Sequence, residues 1–258
     1  MERYSRHFVL KEIGVNGQKK LLASKVLVIG AGALGSSAIM HLAAAGVGTI
    51  GIADGDTVEL SNLQRQVIHC TQTVGLEKTF SAQKTVEGIN PDVKCELYTY
   101  RLTADNIEKI IQSYDFVLDC TDRFENKLLI NDACVLAQKP YCHAGAVRFE
   151  GQVMTWVPND GPCLRCLVDK APQGQECTTC SQAGVLGTVT GIIGCIQATE
   201  AIKYLLGVGE LLTGKMLFFD ALKMQTDIVL IPQNKKCRLC GETPDILSIK
   251  DNKTEYEI

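Results

Sequence analysis

Two groups of side chains in this 258-residue chain could do chemistry. The first gathers Asp54, Asp56, Asn62, Arg65 and Gln66 into thirteen residues, with Lys78 shortly after and Asp122 further on. Guanidinium and ammonium groups neutralise phosphate or carboxylate, and carboxylates accept from hydroxyls or hold a hard cation. The second is a set of three Cys-x-x-Cys pairs, Cys163/Cys166, Cys177/Cys180 and Cys237/Cys240. Four thiolates on tight turns suit the tetrahedral preference of zinc. The first and third pairs are separated by 70 residues, so a shared ion would clamp two distant segments. The middle pair could be the metal pair instead.

Positioning of the first group begins at Lys25. Val26-Leu27-Val28-Ile29 reads as a strand buried on both faces, and it stops at Gly30-Ala31-Gly32-Ala33-Leu34-Gly35. Small residues there let the chain turn sharply and bring its N–H groups close to a phosphate. A helix from Ser36 to Ala45 follows, its N-terminus carrying partial positive charge where phosphates would lie. A second strand, Thr49 to Ala53, ends at Asp54, whose carboxylate can accept from ribose hydroxyls. The stretch describes a mononucleotide site. Asp54 to Gln66 then lies just past a strand end, where open α/β sheets bind ligands. Asp115 to Asp122 is a further buried strand. It directs Asp122 to the same crevice and leaves Asp115 at the opposite edge as a turn or capping residue.

The rest of the chain reads as follows. Residues 1 to 24 are helical, with Leu10, Ile13, Leu21 and Leu22 as apolar contacts; Thr71 to Asn90 is a helix bearing Lys78; Val93 to Arg101 is a strand and Asp105 to Tyr114 a short helix. Tyr141 to Val157 gives two strands with a turn near Glu150-Gly151, opening a more antiparallel half. Residues 1–157 read as an N-terminal arm and nucleotide half and 158–258 as a zinc-bearing half, to which the resemblance given below adds carrier binding, within one integrated domain. The stretch from Asp169 to Glu176 is a mobile linker. Val185 to Leu206 is a long buried helix, Met216 to Phe219 and Thr226 to Ile231 are strands, and the tail from Glu242 is polar and partly ordered. Cys70, Cys95, Cys120, Cys134, Cys142 and Cys195 read as small core residues.

A formal net charge of −3 provides no field for a polyanion, which disfavours nucleic acid. No apolar run reaches membrane-span length, and Met1 to Leu10 lacks a signal-peptide core, so the expected location is the cytoplasm. Twelve cysteines there mean thiols and metal ligands rather than a disulfide framework. Taken without a resemblance, Arg6 and Lys78 are ordinary solvated side chains.

The order D-x-D…S-N-L-x-R-Q at Asp54 to Gln66 resembles the ThiF/MoeB/HesA family of ubiquitin-activating-type adenylyltransferases. Arg3-Tyr4-Ser5-Arg6, the V-G-x-x-K-x-x-S-A segment at Lys78, C-T-D at Asp122 and the outer cysteine pairs extend it from Arg3 to Cys240. The resemblance implies ATP with Mg²⁺ and attack on the α-phosphate by the C-terminal glycine carboxylate of a ubiquitin-fold sulfur carrier, ThiS-like or MoaD-like. The route served would be thiamine or molybdopterin biosynthesis, with a slight lean toward thiamine. It places Gly30, Gly32, Ala33 and Gly35 at the phosphates, Asp54 and Asp56 at the nucleotide, and Asn62 near the α-phosphate. Arg65, Gln66 and Lys78 join them, Asp122 is at the Mg²⁺, and Arg6 reaches the site of the other subunit in a homodimer. It gives Cys163, Cys166, Cys237 and Cys240 a structural zinc, makes Cys180 a covalent or sulfur-carrying residue, and leaves sulfur to a separate donor. Arg123 and Lys127 depart from the asparagine and arginine of many relatives. A nicotinamide oxidoreductase would use the glycine turn and Asp54 but leave Asn62, Arg65, Lys78 and Asp122 without a task. A noncatalytic zinc-stabilised scaffold binding a ubiquitin-fold partner is the other alternative.

Overall fold

The structure, a computed structural model, describes residues 2–171 and 183–256. Its elements are α1 (Ser5–Val9), α2 (Gly14–Ala23), β1 (Lys25–Ile29), α3 (Ala33–Ala45), β2 (Thr49–Ala53), α4 (Lys78–Ile89), β3 (Lys94–Tyr98) and α5 (Ile107–Ile111). There follow β4 (Phe116–Asp119), α6 (Phe124–Leu136), β5 (Tyr141–Val147), β6 (Glu150–Trp156), α7 (Gly187–Leu206), β7 (Lys215–Asp220), β8 (Gln225–Leu230) and α8 (Lys253–Tyr256). The eight strands form one sheet in the order β3-β2-β1-β4-β5-β6-β7-β8. Neighbours from β3 to β5 are parallel, and β6, β7 and β8 join antiparallel. The expected α/β fold with a mixed sheet and an antiparallel C-terminal half is what forms.

Strand alternation explains the layers. Val26 and Val28 pack with Ile39 and Leu42 of α3, Val86 of α4 and Ile193 of α7, whereas Leu27 and Ile29 face Ile107 and Ile111 of α5 and Leu128 of α6. Successive side chains of a strand point to opposite faces, so a run apolar at every position is covered on both. On the first face α7 packs closely on α3: a Cβ on Gly194 would stand 2.4 Å from the Leu34 carbonyl oxygen. The second face includes Trp156 of β6 and continues past the sheet into Cys163, Cys237, Ile246, Ile249 and Tyr256. Among the described residues no helix is long and apolar enough to cross a membrane.

Several local expectations need correction. Residues 2–24 form a 3-10 turn at Glu2–Tyr4 and two α-helices, because Gly14 takes φ +55° and the chain turns at Leu10–Ile13; Leu10 is exposed and Leu21 fully buried. The α4 helix starts only at Lys78. Thr71–Thr73 is a 3-10 turn and Gly75 at φ +88° separates the two. The β5–β6 turn falls at Arg148-Phe149, with Glu150 already paired to Val147. Cys120, Cys134 and Cys142 are core residues, whereas Cys70 is exposed, Cys195 is half-buried beside His41, and Cys95, on the edge strand β3, is half-buried against the first core. Asp115 does cap: its Oδ2 accepts from the Lys25 N–H at 2.8 Å.

The tail is packed through Tyr256 and not merely polar. Ile246, Ile249 and Tyr256 are buried, and the Tyr256 hydroxyl donates to Asp132 at 2.6 Å. Asp132 is fully buried and receives Nε and Nη2 of Arg165, which is 1% exposed, while Arg165 also contacts Glu255 at 3.0 Å. Replacing Arg165 with leucine leaves a buried carboxylate without its cation, so unfolding free energy should fall by about 3–5 kcal/mol in urea titration. The R165L/D132N double variant should recover part of that loss.

Candidate active site and metal centre

Strand order reverses between β1 and β4: from β1 the chain first proceeds outward to β2 and β3, then returns to the other side at β4. Such a point leaves a crevice beyond the strand ends. Gly30 follows β1 there, and Cys120-Thr121-Asp122 follows β4. Gly30 takes φ +101°, and a Cβ on it would meet the Cys120 carbonyl oxygen at 2.7 Å. A Cβ on Gly35 would lie 1.9 Å from the Gly30 carbonyl oxygen. Only glycine lets the turn close against both β4 and its own helix. The helix so launched, α3, begins at Ala33, three residues before the expected Ser36. Its first-turn N–H groups have no partner within the helix and lie at the crevice.

The crevice is a cleft of about 500 Å³. Gly30, Gly32, Ala33, Asp54, Asp56, Arg65, Gln66, Lys78 and Asp122 all line it, joining residues spread over some ninety positions of sequence. Asp54 Oδ2 accepts from the Ala31 N–H at 2.8 Å, so the carboxylate that ends β2 also braces the glycine turn. Lys78, 7% exposed at the start of α4, lies 3.1 Å from Asp56 and 4.0 Å from Asp54. Burial raises the Asp54 pKa, with Lys78 opposing it. For Asp56 the opposite holds: burial is outweighed by Lys78 and Arg101, and its pKa is lowered. Arg65 bonds the Ser61 carbonyl at 2.9 Å, and Asp122 is exposed on the cleft wall.

Three expected site residues among those described, Asn62, Arg6 and Gly35, are not part of this wall. Asn62 is buried, and its Oδ1 accepts from the Glu59 N–H at 3.1 Å, capping the 3-10 turn Leu60–Asn62 that presents Arg65. Arg6 is exposed on α1 and absent from the cleft lining of its own chain. Cys180, with Cys177 and most of the expected linker, lies outside the described residues. Gly35 closes the turn from behind.

Side chains not singled out by motif complete the site. Arg101 bonds Asp56 at 3.1 Å and packs over Gly55, and Tyr100, Phe124, Gln152 and Phe218 line the cleft. Behind Asp122, fully buried Asp119 accepts from Thr121 at 2.7 Å, from Lys127 at 3.2 Å and from the His143 ring at 2.9 Å. The departure at Lys127 is thus a buried ammonium, which also donates to the Ala144 carbonyl at 2.6 Å. Position supplied the signal that was missed: Asp119 is the last residue of a buried strand, where an unpaired carboxylate is untenable. Burial opposes its ionisation, but Lys127 and His143 outweigh that and hold its pKa at about 2. A folded pKa below the unfolded value contributes stability that is fully present above about pH 4 and lost as pH falls through about 2, on the order of 2 kcal/mol. Urea midpoints at pH 3 and pH 6 should therefore differ less for Lys127→Met than for the unaltered chain.

At the far end of the second core, Cys163, Cys166, Cys237 and Cys240 bring their sulfurs within 4.8 Å of one another. Cys163 and Cys237 are 3.7 Å apart, Cys166 and Cys240 3.5 Å, and Cys163 and Cys240 3.3 Å. Disulfide sulfurs would be at about 2.05 Å. Sulfurs around a tetrahedral ion with bonds of about 2.3 Å would be roughly 3.8 Å apart, so the donor set fits zinc.

The ThiF family pattern matches residues 4–239. The chain is 47% identical over 242 residues to the SAMP-activating enzyme E1 of Haloferax volcanii, covering 94% of this chain and 89% of that one. It is 43% identical over 250 residues to the adenylyltransferase and sulfurtransferase MOCS3 of Sus scrofa, covering 96% of this chain and 55% of that one. The chain thus spans about half the length of that relative. In fold it is similar to Escherichia coli MccB, with TM-score 0.81 at 22% identity over 93% of this chain and 72% of that one. With the family pattern spanning nearly the whole sequence and these relatives aligned along it, the chain belongs to the ThiF family.

Proposed function

We propose that the protein is an ATP-dependent adenylyltransferase that activates the C-terminal glycine carboxylate of a ubiquitin-fold sulfur carrier, ThiS-like or MoaD-like. The observation that carries this reading is the meeting of Arg65, Lys78, Asp54 and Asp122 around one glycine turn at the switch point of the sheet. Family membership and the names of the two relatives above support the same chemistry. The cleft fits a nucleotide by a further test. Gln66, 5% exposed, lines the cleft with its Nε2 beside Gly32, and its Oε1 has no partner among the described residues, so the side-chain amide is a polar group on the cleft wall with bonding capacity unused.

In the reaction, a carboxylate oxygen of the carrier attacks the α-phosphorus, the bond to the β-phosphate oxygen breaks, and pyrophosphate departs with that electron pair. Both reactants are anions, so the protein's work is positioning and charge neutralisation. Lys78 and Arg65 supply cations, and Arg6, exposed and not part of its own cleft's lining, would supply another to a second copy in a homodimer. The α3 N-terminus and Gly32 present N–H groups to the phosphates, and Asp54 accepts from the ribose. Asp122 offers the exposed carboxylate that would hold Mg²⁺, which adds positive charge at the phosphates when bound. No general base is needed, because a C-terminal carboxylate is already ionised at neutral pH. The four cysteines would hold a structural zinc with no open position. Cys180 is assigned to a covalent or sulfur-carrying step after the adenylate, with sulfur from a separate donor, on the thiamine or the molybdopterin route. Exchange of labelled pyrophosphate into ATP that depends on a carrier tests the reading, and its absence with both a ThiS-like and a MoaD-like carrier would sink it.

A further inference from the structure

His69 is almost fully buried, and the reaction as written does not use it. Its Nε2 lies 2.9 Å from the Ala31 carbonyl oxygen and its Nδ1 2.8 Å from the Ser81 hydroxyl. Ala31 is in the middle of the glycine turn, and Ser81 is on α4, three residues beyond Lys78. We propose that His69 is a positioning residue for the nucleotide: one ring links the phosphate-binding turn to the helix that carries the phosphate-binding lysine.

A carbonyl accepts and never donates, so Nε2 carries a proton toward Ala31. The peptide between Ala31 and Gly32 is planar and trans, which makes its C=O and N–H point in opposite directions. With the oxygen held by His69 beneath the turn, the Gly32 N–H is aimed away from the ring, on the side where Gly32 lines the cleft. The N–H of Ala31 is held separately by Asp54. Both ends of Ala31 are thus pinned. A rotation of that peptide would withdraw the Gly32 N–H from the phosphates, and His69 opposes it.

On its other side the ring enters a chain of hydroxyls. Ser81 is 2.8 Å from Thr73 Oγ1, which in turn lies 2.8 Å from the Cys70 carbonyl oxygen. With the ring neutral, Ser81 donates to Nδ1 and receives from Thr73. With the ring charged, Nδ1 donates to Ser81, which donates to Thr73, which donates to Cys70. Hydroxyl rotation satisfies every member in either state. Burial, aided by the nearby Lys78 ammonium, lowers the His69 pKa and favours the neutral arrangement.

This proposal rests on the ATP reading above, and its test separates the two. Hydrogen exchange at the turn amides, measured without nucleotide on the full-length protein, should quicken at residues 31–33 in His69→Ala, and unchanged exchange in a folded variant would overturn the proposal. Titration with MgATP should show Kd raised about tenfold in His69→Ala. The rate at saturating ATP should change less than threefold, and His69→Gln, whose amide can still donate to Ala31, should recover most of the affinity. An unchanged Kd, or a loss of rate with Kd intact, would count against it. Should His69→Ala fail to fold, Ser81→Ala removes the second anchor alone, and an unaltered Kd and exchange rate there would be equally fatal. An unaltered chain that bound no ATP would sink the adenylyltransferase reading instead, and the exchange measurement would still judge the grip on Ala31.

Discussion

Lys78→Ala is expected to lower carrier-dependent pyrophosphate exchange by about two to three orders of magnitude, the usual cost of removing one preorganised group that meets transition-state charge. The lysine is 7% exposed and held by two carboxylates, so its ammonium is already in place before ligand arrives. Its removal also changes Asp54. Burial raises that carboxyl's pKa and Lys78 counters it, so without the lysine the pKa rises further. On the proposed reading Asp54 accepts from the ribose in its ionised form, alongside the Ala31 and Asp56 N–H groups, so the acid limb of the ATP KM profile should move to higher pH in the variant. Lys78→Arg should restore only part of the rate, since a planar fork does not replace a point charge between Asp54 and Asp56. Metal content and the far-ultraviolet spectrum should be unchanged in all three proteins, and full activity in Lys78→Ala would remove the phosphate role.

The second large effect is expected at the cysteines. Cys163→Ala should abolish zinc binding and lower the unfolding free energy by about 4 kcal/mol, the size of the loop-closure term for a cross-link spanning some seventy residues. For a chain of this length that corresponds to a melting temperature about 10 °C lower. Cys163 and Cys237 are almost fully buried in the second core, beside Leu164 and Leu239, so losing the ion would loosen that core as well as the link. Chelation of the unaltered protein should reproduce the shift, and Cys195→Ala, at a half-buried cysteine outside the cluster, should not. A protein with less than one zinc per four-cysteine cluster and an unmoved transition after chelation would refute the assignment.

Much of this is legible in the sequence because it is local. Val26 to Asp54 states strand, turn, helix and strand within thirty residues, and alternation plus small residues suffices to read it. The outer cysteine pairs are likewise self-announcing, and resemblance chose between them and Cys177/Cys180. What escaped notice depends on partners far away in sequence. Asp119 is an unremarkable strand residue until Lys127 and His143 close on it, and Asp132 needs Arg165 and Tyr256 from two later segments. The tail reads as polar for the same reason. Ile246, Ile249 and Tyr256 are too few to mark a core in a charged stretch, and their surface to bury against is made by the cysteine turns. Asn62 shows the reverse error: a motif residue whose visible bond shapes the loop rather than facing the cleft.

The strand order has a consequence for how the chain is made. β1 pairs on one side with β2, about 24 residues downstream, and on the other with β4, about 90 residues downstream. At typical synthesis rates of about 5–20 residues per second, one flank of this apolar strand waits roughly 5–18 s on the ribosome for its second neighbour. During that interval Val26 to Ile29 is an unpaired hydrophobic edge, open to association with other nascent chains. Yield in cells should accordingly respond to chaperone supply and to translation speed between residues 54 and 115 more than to changes late in the chain.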